Sequence, residues 1–311
     1  MALNNPAFNN PAFQDPKAVK SYPGGRQAAG LTPPAAPTQY ATAQHAGTDV
    51  AAQAQLEGMY AAPAAGAIET DRMSVEDTVW KTVGLFAVLL VTAAGGWIWT
   101  MAGVTAVNPS PNIAPWLIGM LGGFVLALVF FIPAAKGKVR PAVAVAYAAF
   151  EGLFVGGISA FFEFLWPGIV VQATLATLAV VGVTLALFAS GKVRASKRAT
   201  KVFMIAMIGY LVFSLINLGL MLFNVPIAGG AFGLYSAPSF LFGIPWGVII
   251  GIFVVIMAAY SLVLDFDGIQ QGVRNGSPRI FGWVGAAGIM VTVVWLYVEI
   301  LRILAILRGS N

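Results

Sequence analysis

The sequence predicts an all-α integral membrane protein, in which a bundle of seven transmembrane helices follows a disordered N-terminal tail. Of its 311 residues, 59% are hydrophobic and 9% are charged. Soluble domains carry about 25% charged residues, and the mean hydropathy is +0.82. Beyond the tail, apolar stretches long enough to cross a bilayer, about 20 residues each, alternate with short connections.

The residue types that the chain lacks exclude several kinds of chemistry. There is no cysteine, and the one histidine, His45, lies in a polar region. Disulfides, iron–sulfur clusters and His/Cys zinc sites are therefore excluded, as is Ser-His-Asp catalysis in the membrane part. We expect no cofactor and no enzymatic activity. The net charge of +5 comes from short basic connections, which are typical of membrane topology and not of nucleic-acid binding.

The N-terminal part differs in composition from the rest. Residues 1–75 are polar, rich in Ala, Pro, Gln, Asn and Gly, and without apolar periodicity. This composition predicts a disordered cytoplasmic tail, and the lack of an apolar segment near Met1 argues against a signal peptide. NNPAF occurs at 4–8 and again at 9–13, either as low-complexity sequence or as a docking motif for a membrane protein partner. The membrane domain is then 76–311.

Apolar stretches predict seven spans that contact the lipid bilayer. In chain order they are 82–102, 113–133, 142–163, 168–189, 202–223, 240–264 and 281–305. The segment at 73–77 is typical of a helix start, because Ser74 can cap it and Glu76 and Asp77 fall in the first turn. Pro245, early in the sixth span, either kinks that helix or marks its first turn.

Basic residues occupy alternate connections between the spans. They are Lys136, Lys138, Arg140, Lys192, Arg194, Lys197, Arg198, Lys201, Arg274 and Arg279. The other connections, 103–112, 164–167 and 224–239, contain no Lys or Arg. This pattern predicts a cytoplasmic N terminus and basic loops, with the C terminus outside. Arg302 and Arg308 conflict with that orientation, which leaves a re-entrant last segment as the alternative.

Small residues recur at helical spacing in two of the spans. Gly152 and Gly156 are four residues apart, as are Gly247 and Gly251. Such pairs let helix backbones approach closely, so we expect packing contacts at both places.

Acidic residues are scarce after Asp77, and all of them lie inside a span or at its edge: Glu151, Glu163, Asp265, Asp267 and Glu299. A charge at the bilayer centre costs at least about 2.5–3.5 kcal/mol, so these positions are candidate functional sites. Glu163 is expected to be a solvated span end. Glu151, near the middle of the third span, must face a polar cavity, pair with a cation such as Arg140 or Arg302, or be protonated.

The last two spans hold the strongest candidates. Asp265 and Asp267 point about 200° apart on a helix, so one at most faces the bundle centre. Glu299 is three residues from Arg302 and could form a local ion pair with it. The alternative is a carboxyl pair of Asp267 with Glu299. Two carboxylates in contact share a proton, which predicts a pH-sensitive gate that also offers oxygen ligands to calcium.

The distance along the chain is an objection to that pair. If the connection turns at 274–278, Glu299 lies roughly 15–20 Å deeper than Asp267. The two meet only if 270–284 forms an extended or displaced loop. Otherwise Glu299 pairs with Arg302 or reaches toward Glu151.

Three stretches resemble the Bax inhibitor (transmembrane Bax inhibitor motif) family: YAAFEGLFVGGIS at 147–159, SLVLDFDGI at 261–269 and WLYVEILRILAILR at 295–308. Phe266-Asp267 is similar to the family's Tyr-Asp, and the segment from Leu296 to Glu299 to its Leu-Tyr-x-Asp. Phe replaces the Tyr and Glu replaces the second Asp. The resemblance covers roughly 80–308 and leaves the tail, similar to that of a bacterial branch, outside.

The resemblance implies a seven-helix bundle whose last helix is near the centre, in a bacterial inner membrane. It implies a calcium leak gated by a two-carboxylate pH sensor, with calcium as a transported ion. Three rival functions use the same residues. They are a non-conducting regulator that binds a membrane protease or another partner, a proton-coupled transporter, and an intramembrane aspartyl protease. The protease is disfavoured because the chain lacks a Gly-x-Gly-Asp element.

Overall fold

The computed structural model describes residues 71–105, 109–223, 232–239 and 243–309. Seven helices in these ranges are long and apolar enough to cross a membrane. They are α1 Val75–Met101, α2 Ala114–Ala135, α3 Pro141–Leu165, α4 Ile169–Ala189, α5 Lys197–Leu222, α6 Trp246–Arg274 and α7 Gly282–Gly309. Short 3₁₀ helices at Gly233–Ser236 and Arg279–Phe281 precede α6 and α7. The all-α fold class is confirmed, whereas the predicted tail lies almost wholly outside the described residues.

Helix starts follow the local sequence. Ser74 caps α1, and its hydroxyl accepts a hydrogen bond of 3.0 Å from the amide of Asp77, as predicted. Pro245 is the residue immediately before α6, so it marks the first turn and does not kink the helix. The prediction was wrong about the end of the sixth span, which was placed at 264. The helix continues to Arg274, and there is no extended loop beginning at 270.

Glycines set the spacing of α1, α2 and α3. A Cβ on Gly152 would lie 2.2 Å from the backbone oxygen of Leu89, and one on Gly156 would lie 2.0 Å from that of Ala93. Gly157 similarly meets the backbone of Trp116 in α2. Because side chains at these positions would overlap backbone, the three helices pack closely only with glycine here.

The last two helices pack against each other, and α7 is the most buried. In the most apolar stretch of each helix, 56% of residues are buried in the seventh and 6% in the fifth. α7 contacts α6, α1, α4 and α3, which places it near the bundle centre. The predicted glycine contact is confirmed, since a Cβ on Gly251 would lie 2.4 Å from Cγ1 of Ile303.

One end of the bundle carries the basic connections, and we call it the basic end. There the chain entering α1 is joined to the connection between α6 and α7. The amide of Met73 donates to the carbonyl of Ser277 at 2.7 Å, and that of Arg279 donates to the carbonyl of Asp71 at 2.9 Å. The Arg279 guanidinium also binds Asp77 at 2.7 Å. These five residues form what we call the clasp.

The last helix is continuous and ends at the opposite end of the bundle. Its 28 residues span about 42 Å at 1.5 Å per residue, enough for a full crossing. Arg308 donates to the carbonyl of Pro167 at 2.9 Å and to Oε1 of Gln172 at 3.0 Å. Arg308 is thus hydrogen-bonded to the connection between α3 and α4 and to α4 itself. Its position agrees with a last span that crosses fully, and no re-entrant segment is needed to explain it.

We predict that Gly156→Ala lowers the free energy of unfolding in detergent by about 1–3 kcal/mol, the usual cost of overpacking. The control is Gly182→Ala in α4, where a Cβ would meet nothing within 4 Å. That change should be neutral or stabilise by up to about 1 kcal/mol through helix propensity. Equal losses in the two variants would contradict the close contact.

Candidate functional site

Asp265 is the carboxylate that lies between the last two helices. Its side chain is 1% exposed, and its Oδ2 accepts a hydrogen bond of 2.6 Å from the hydroxyl of Thr292 in α7. Thr292 is itself 6% exposed. Of the two aspartates, Asp265 is thus the one that faces the bundle, which the sequence left open.

Asp267 lies on another side of α6 and is half-buried. Its Oδ2 accepts a hydrogen bond of 2.8 Å from Nε2 of Gln271, one turn further along the same helix. The ring between the two aspartates, Phe266, packs 5.4 Å from that of Phe188 in α4. The aspartate that the resemblance singled out is therefore held locally, within its own helix.

Glu299 forms the local ion pair that the sequence allowed. It is 3% exposed, and Arg302, one turn along α7, binds its Oε1. The hydroxyl of Tyr210 in α5 donates to Oε2 at 3.0 Å and accepts from Arg302 at 3.2 Å. The guanidinium of Arg302 lies 3.9 Å from the ring centre of Tyr235. The buried carboxylate is thus neutralised by Arg302 and hydrogen-bonded by Tyr210, and the Tyr235 ring packs on the guanidinium.

The structure does not bring Asp267 and Glu299 together. Glu299 lies seven residues beyond Thr292 on α7, and Asp267 lies two residues beyond Asp265 in the opposite direction. From the Asp265–Thr292 contact, this places the two about 14 Å apart along the bundle axis. The predicted carboxyl pair is therefore wrong in its geometry, because α6 continues as helix where the pair needed a displaced loop.

The same separation bears on the predicted calcium contact. Ligand oxygens lie about 2.3–2.6 Å from a calcium ion, so Asp267 and Glu299 cannot share one. Among the described residues there is no group of three or more His, Cys, Asp or Glu side chains that could hold a metal ion.

Glu151 lies at the contact of α3 with α2. A Cβ on Gly123 would be 3.0 Å from its Oε2, and Tyr147, one turn earlier, hydrogen-bonds to the carboxylate. Arg140 is exposed at the start of α3, about 16 Å away along the helix, and Arg302 is engaged with Glu299. Neither arginine is the counter-charge, and the polar contact of Glu151 is the hydroxyl of Tyr147.

Glu163 is more than a solvated span end. Its two carboxylate oxygens accept from the amides of Gly168 at 2.6 Å and Val170 at 3.1 Å. The carboxylate therefore caps the first turn of α4, where an anion is favoured.

Several residues that matter at these sites were missed in the sequence. Thr292 and Tyr235 carry no charge and stand in apolar surroundings, so no local pattern marks them. Tyr210 could have been found, because it shares one face of α5 with other hydrogen-bonding residues at helical spacing. The partner of Asp77 was also missed, since Arg279 is 202 residues away.

A family model described as Bax inhibitor 1 like matches residues 5–309. The chain belongs to this family. No curated protein and no solved structure matches it. The family match corrects the extent of the predicted resemblance, because it includes most of the tail and does not begin near 80.

The structure gives the stretches that resemble the Bax inhibitor family a physical meaning. The stretch at 147–159 carries the glycines on which α1 and α2 pack. Its last residue, Ser159, shares a hydrogen bond of 2.6 Å with the hydroxyl of Tyr297, which lies in the stretch at 295–308. Two of the three stretches therefore meet inside the bundle.

We predict that Arg302→Met destabilises the bundle by about 3–5 kcal/mol, because it leaves Glu299 buried without its cation. The matched variant is the double change Arg302→Met with Glu299→Gln, which removes both charges and should restore most of the loss. Denaturation in detergent micelles measures both. A double variant as unstable as the single one would show that the arginine acts through packing and not through charge.

Proposed function

We propose that this Bax inhibitor family protein is a pH-sensitive calcium leak of a bacterial inner membrane, with Asp265 as its titrating group. The observation that supports this proposal best is the burial of the Asp265 carboxylate at the contact of α6 with α7, where Thr292 binds it. Family membership and the seven apolar helices support a multi-pass membrane protein. The leak and its gating are the part that we propose.

Asp265 has the environment that a proton-controlled gate needs. A protonated carboxyl is neutral and is compatible with a dry contact between helices. Loss of the proton places a charge among buried apolar residues, and this costs free energy unless water or a cation reaches it. Opening of the α6–α7 contact relieves that cost, and the bare carboxylate then offers an oxygen ligand to a hard cation.

Glu299 is less suited to that task, although it is almost as buried. Arg302 already neutralises it, so a change in its protonation would break an ion pair and would leave the arginine unpaired. We therefore assign Glu299 to holding the helices and Asp265 to sensing protons.

The proposed orientation places the basic end in the cytoplasm. This follows from the positive-inside rule, since the connections at this end hold the Lys and Arg residues. Asp265 lies nine residues before the last residue of α6, which is closer to the basic end than to the other. In this orientation the gate lies nearer the cytoplasmic side.

We predict that calcium flux into vesicles containing the purified protein rises with pH, by up to about tenfold per pH unit below the midpoint, as one proton is released. Asp265→Asn keeps the acceptor for Thr292 but cannot ionise, so its flux should not change with pH.

The control for that experiment is Asp267→Asn, which changes the neighbouring carboxylate and should preserve the pH response. A response lost in the control and retained in Asp265→Asn would contradict the assignment of the sensor. Absence of calcium flux at every pH would contradict the leak itself.

The clasp supports a second candidate, a regulator that a partner controls through the tail. The chain leaving the tail at Asp71 and Met73 is hydrogen-bonded to the connection between α6 and α7. A partner, such as a membrane protease, that binds the tail would therefore act directly on the two helices that hold Asp265.

We predict that deletion of residues 2–70 leaves the pH-dependent flux within about twofold of the full-length protein, because the clasp and the helices remain. The same vesicle assay measures this. A change of flux beyond that range would contradict the independence of the bundle from its tail.

A further inference from the structure

The fifth helix is held to the bundle less tightly than the others. Only Thr200, Phe203 and Asn217 are buried along α5. Large apolar side chains face outward along its length, including Val202, Ile205, Ile208, Leu211, Val212 and Leu215. Among the described residues, its backbone approaches α6 and the 3₁₀ helix at Gly233–Ser236 only sparsely. In a bilayer these outward faces contact lipid.

A row of hydrogen-bonding side chains joins α5 to the rest. Thr200, Tyr210, Ser214 and Asn217 share one face of the helix, and we call this row the polar seam. Their partners come from three different elements. Thr200 lies 3.0 Å from the hydroxyl of Tyr260 in α6, Tyr210 binds Glu299 and Arg302 in α7, Ser214 lies 2.9 Å from the hydroxyl of Tyr235, and Asn217 accepts from the amide of Leu234 at 2.7 Å.

Apolar packing along this face occurs in two places. Near the basic end, Phe203 forms a buried cluster with Val254, Met257 and Leu264 of α6. Further along, Phe213 packs against a smaller cluster, with its ring 5.1 Å from that of Tyr235. The far half of α5 is therefore held by this smaller cluster together with the hydrogen bonds of the polar seam.

One donor of Arg302 has no hydrogen-bond partner in the described part of the chain while the seam is closed. Its Nε is buried and has no hydrogen-bond partner among the described residues, although its other nitrogens bind Glu299 and Tyr210. A buried donor without an acceptor destabilises the state that contains it. Water that reached this nitrogen would remove that penalty, so the closed and open states are closer in free energy than a complete network would make them.

We propose that the far half of α5 is a lateral door, which separates from α6 and α7 along the polar seam and admits water to the Glu299–Arg302 pair. Its outward face contacts lipid whether the door is open or closed. The inward Phe213 leaves its contact with Tyr235 on opening and meets lipid, which is as apolar as the side chains that it leaves. The apolar cluster around Phe203 serves as the fixed side. The door is independent of whether the protein conducts calcium.

The absence of cysteine from the chain makes thiol labelling a direct test. Ser214→Cys places a partly buried reporter in the seam, where a water-soluble, membrane-impermeant maleimide reacts faster when the door opens. Ser159→Cys is the control, because Ser159 also lies against a tyrosine hydroxyl, that of Tyr297, but is buried between α3 and α7. Both are labelled in open membrane fragments, so that the reagent reaches both faces.

Because Ser214 is already more exposed than Ser159 in the closed structure, the test compares how much each labelling rate changes. Tyr210→Phe, which removes the bonds to Glu299 and Arg302, should raise the Ser214→Cys rate about tenfold, equivalent to about 1.4 kcal/mol, and leave the Ser159→Cys rate unchanged. Tyr260→Phe, at the fixed side, should change neither rate by more than about twofold.

Two outcomes would overturn the door. They are no effect of Tyr210→Phe at Ser214→Cys, and an equal acceleration at both positions, which would indicate general loosening. Thermal unfolding of each variant shows whether the fold is retained. If Tyr210→Phe does not fold, Asn217→Leu tests the same seam at its bond to Leu234. Calcium flux does not enter the test, so its result stands apart from that of the leak.

Discussion

A bundle in hydrocarbon cannot rely on the hydrophobic effect to hold its helices together, because lipid is as apolar as their side chains. Close backbone contact and paired polar groups must do this instead, and the two are unevenly distributed here. The first three helices meet through Gly152, Gly156 and Gly157, where even a methyl group would overlap backbone. Among the described residues, a Cβ on Gly209 or Gly219 of the fifth helix would meet nothing within 4 Å, and the four residues of the polar seam offer hydrogen bonds instead. One side of the molecule is therefore built to be rigid and the other to be separable.

The carboxylates in the membrane spans also have to be paired with polar groups, and each has a different partner. Glu151 has the Tyr147 hydroxyl, Glu163 has backbone amides, Asp265 has Thr292, Asp267 has Gln271 and Glu299 has Arg302. Arg302 is a cation, so Glu299 can stay ionised in hydrocarbon. This ion pair is the physical reason for assigning structural support to Glu299 and not proton sensing.

The sequence predicted the parts of the fold that depend on local chemistry. Span number, the Ser74 cap and both glycine contacts follow from apolar length, side-chain reach and residue size, and all three are confirmed. The end of α6 was misplaced because the polar segment DFDGIQQG resembles a loop. In the structure Asp267 bonds to Gln271 within the helix, Asp265 to Thr292 in α7, and Gln270 to Arg194. Helical periodicity showed that Asp265 and Asp267 diverge, but it could not show which of them faces α7. That depends on the register of two antiparallel helices, which no local pattern encodes.

The two ends of the α6–α7 hairpin are held by different contacts. At the basic end the clasp joins their connection to the chain that enters α1. Near the other end, Glu299 and Arg302 join α7 to α5, which is free to respond to the surrounding lipid. Asp265 and Glu299 lie on opposite sides of the hairpin's middle, with Gly251 leaving room beside Glu299. A shift of α7 along α6 would change both environments together, because the helix between Thr292 and Glu299 is continuous. Coupling between the proton-sensing contact and the α5 seam therefore needs no relay of side chains, since one rigid helix carries both.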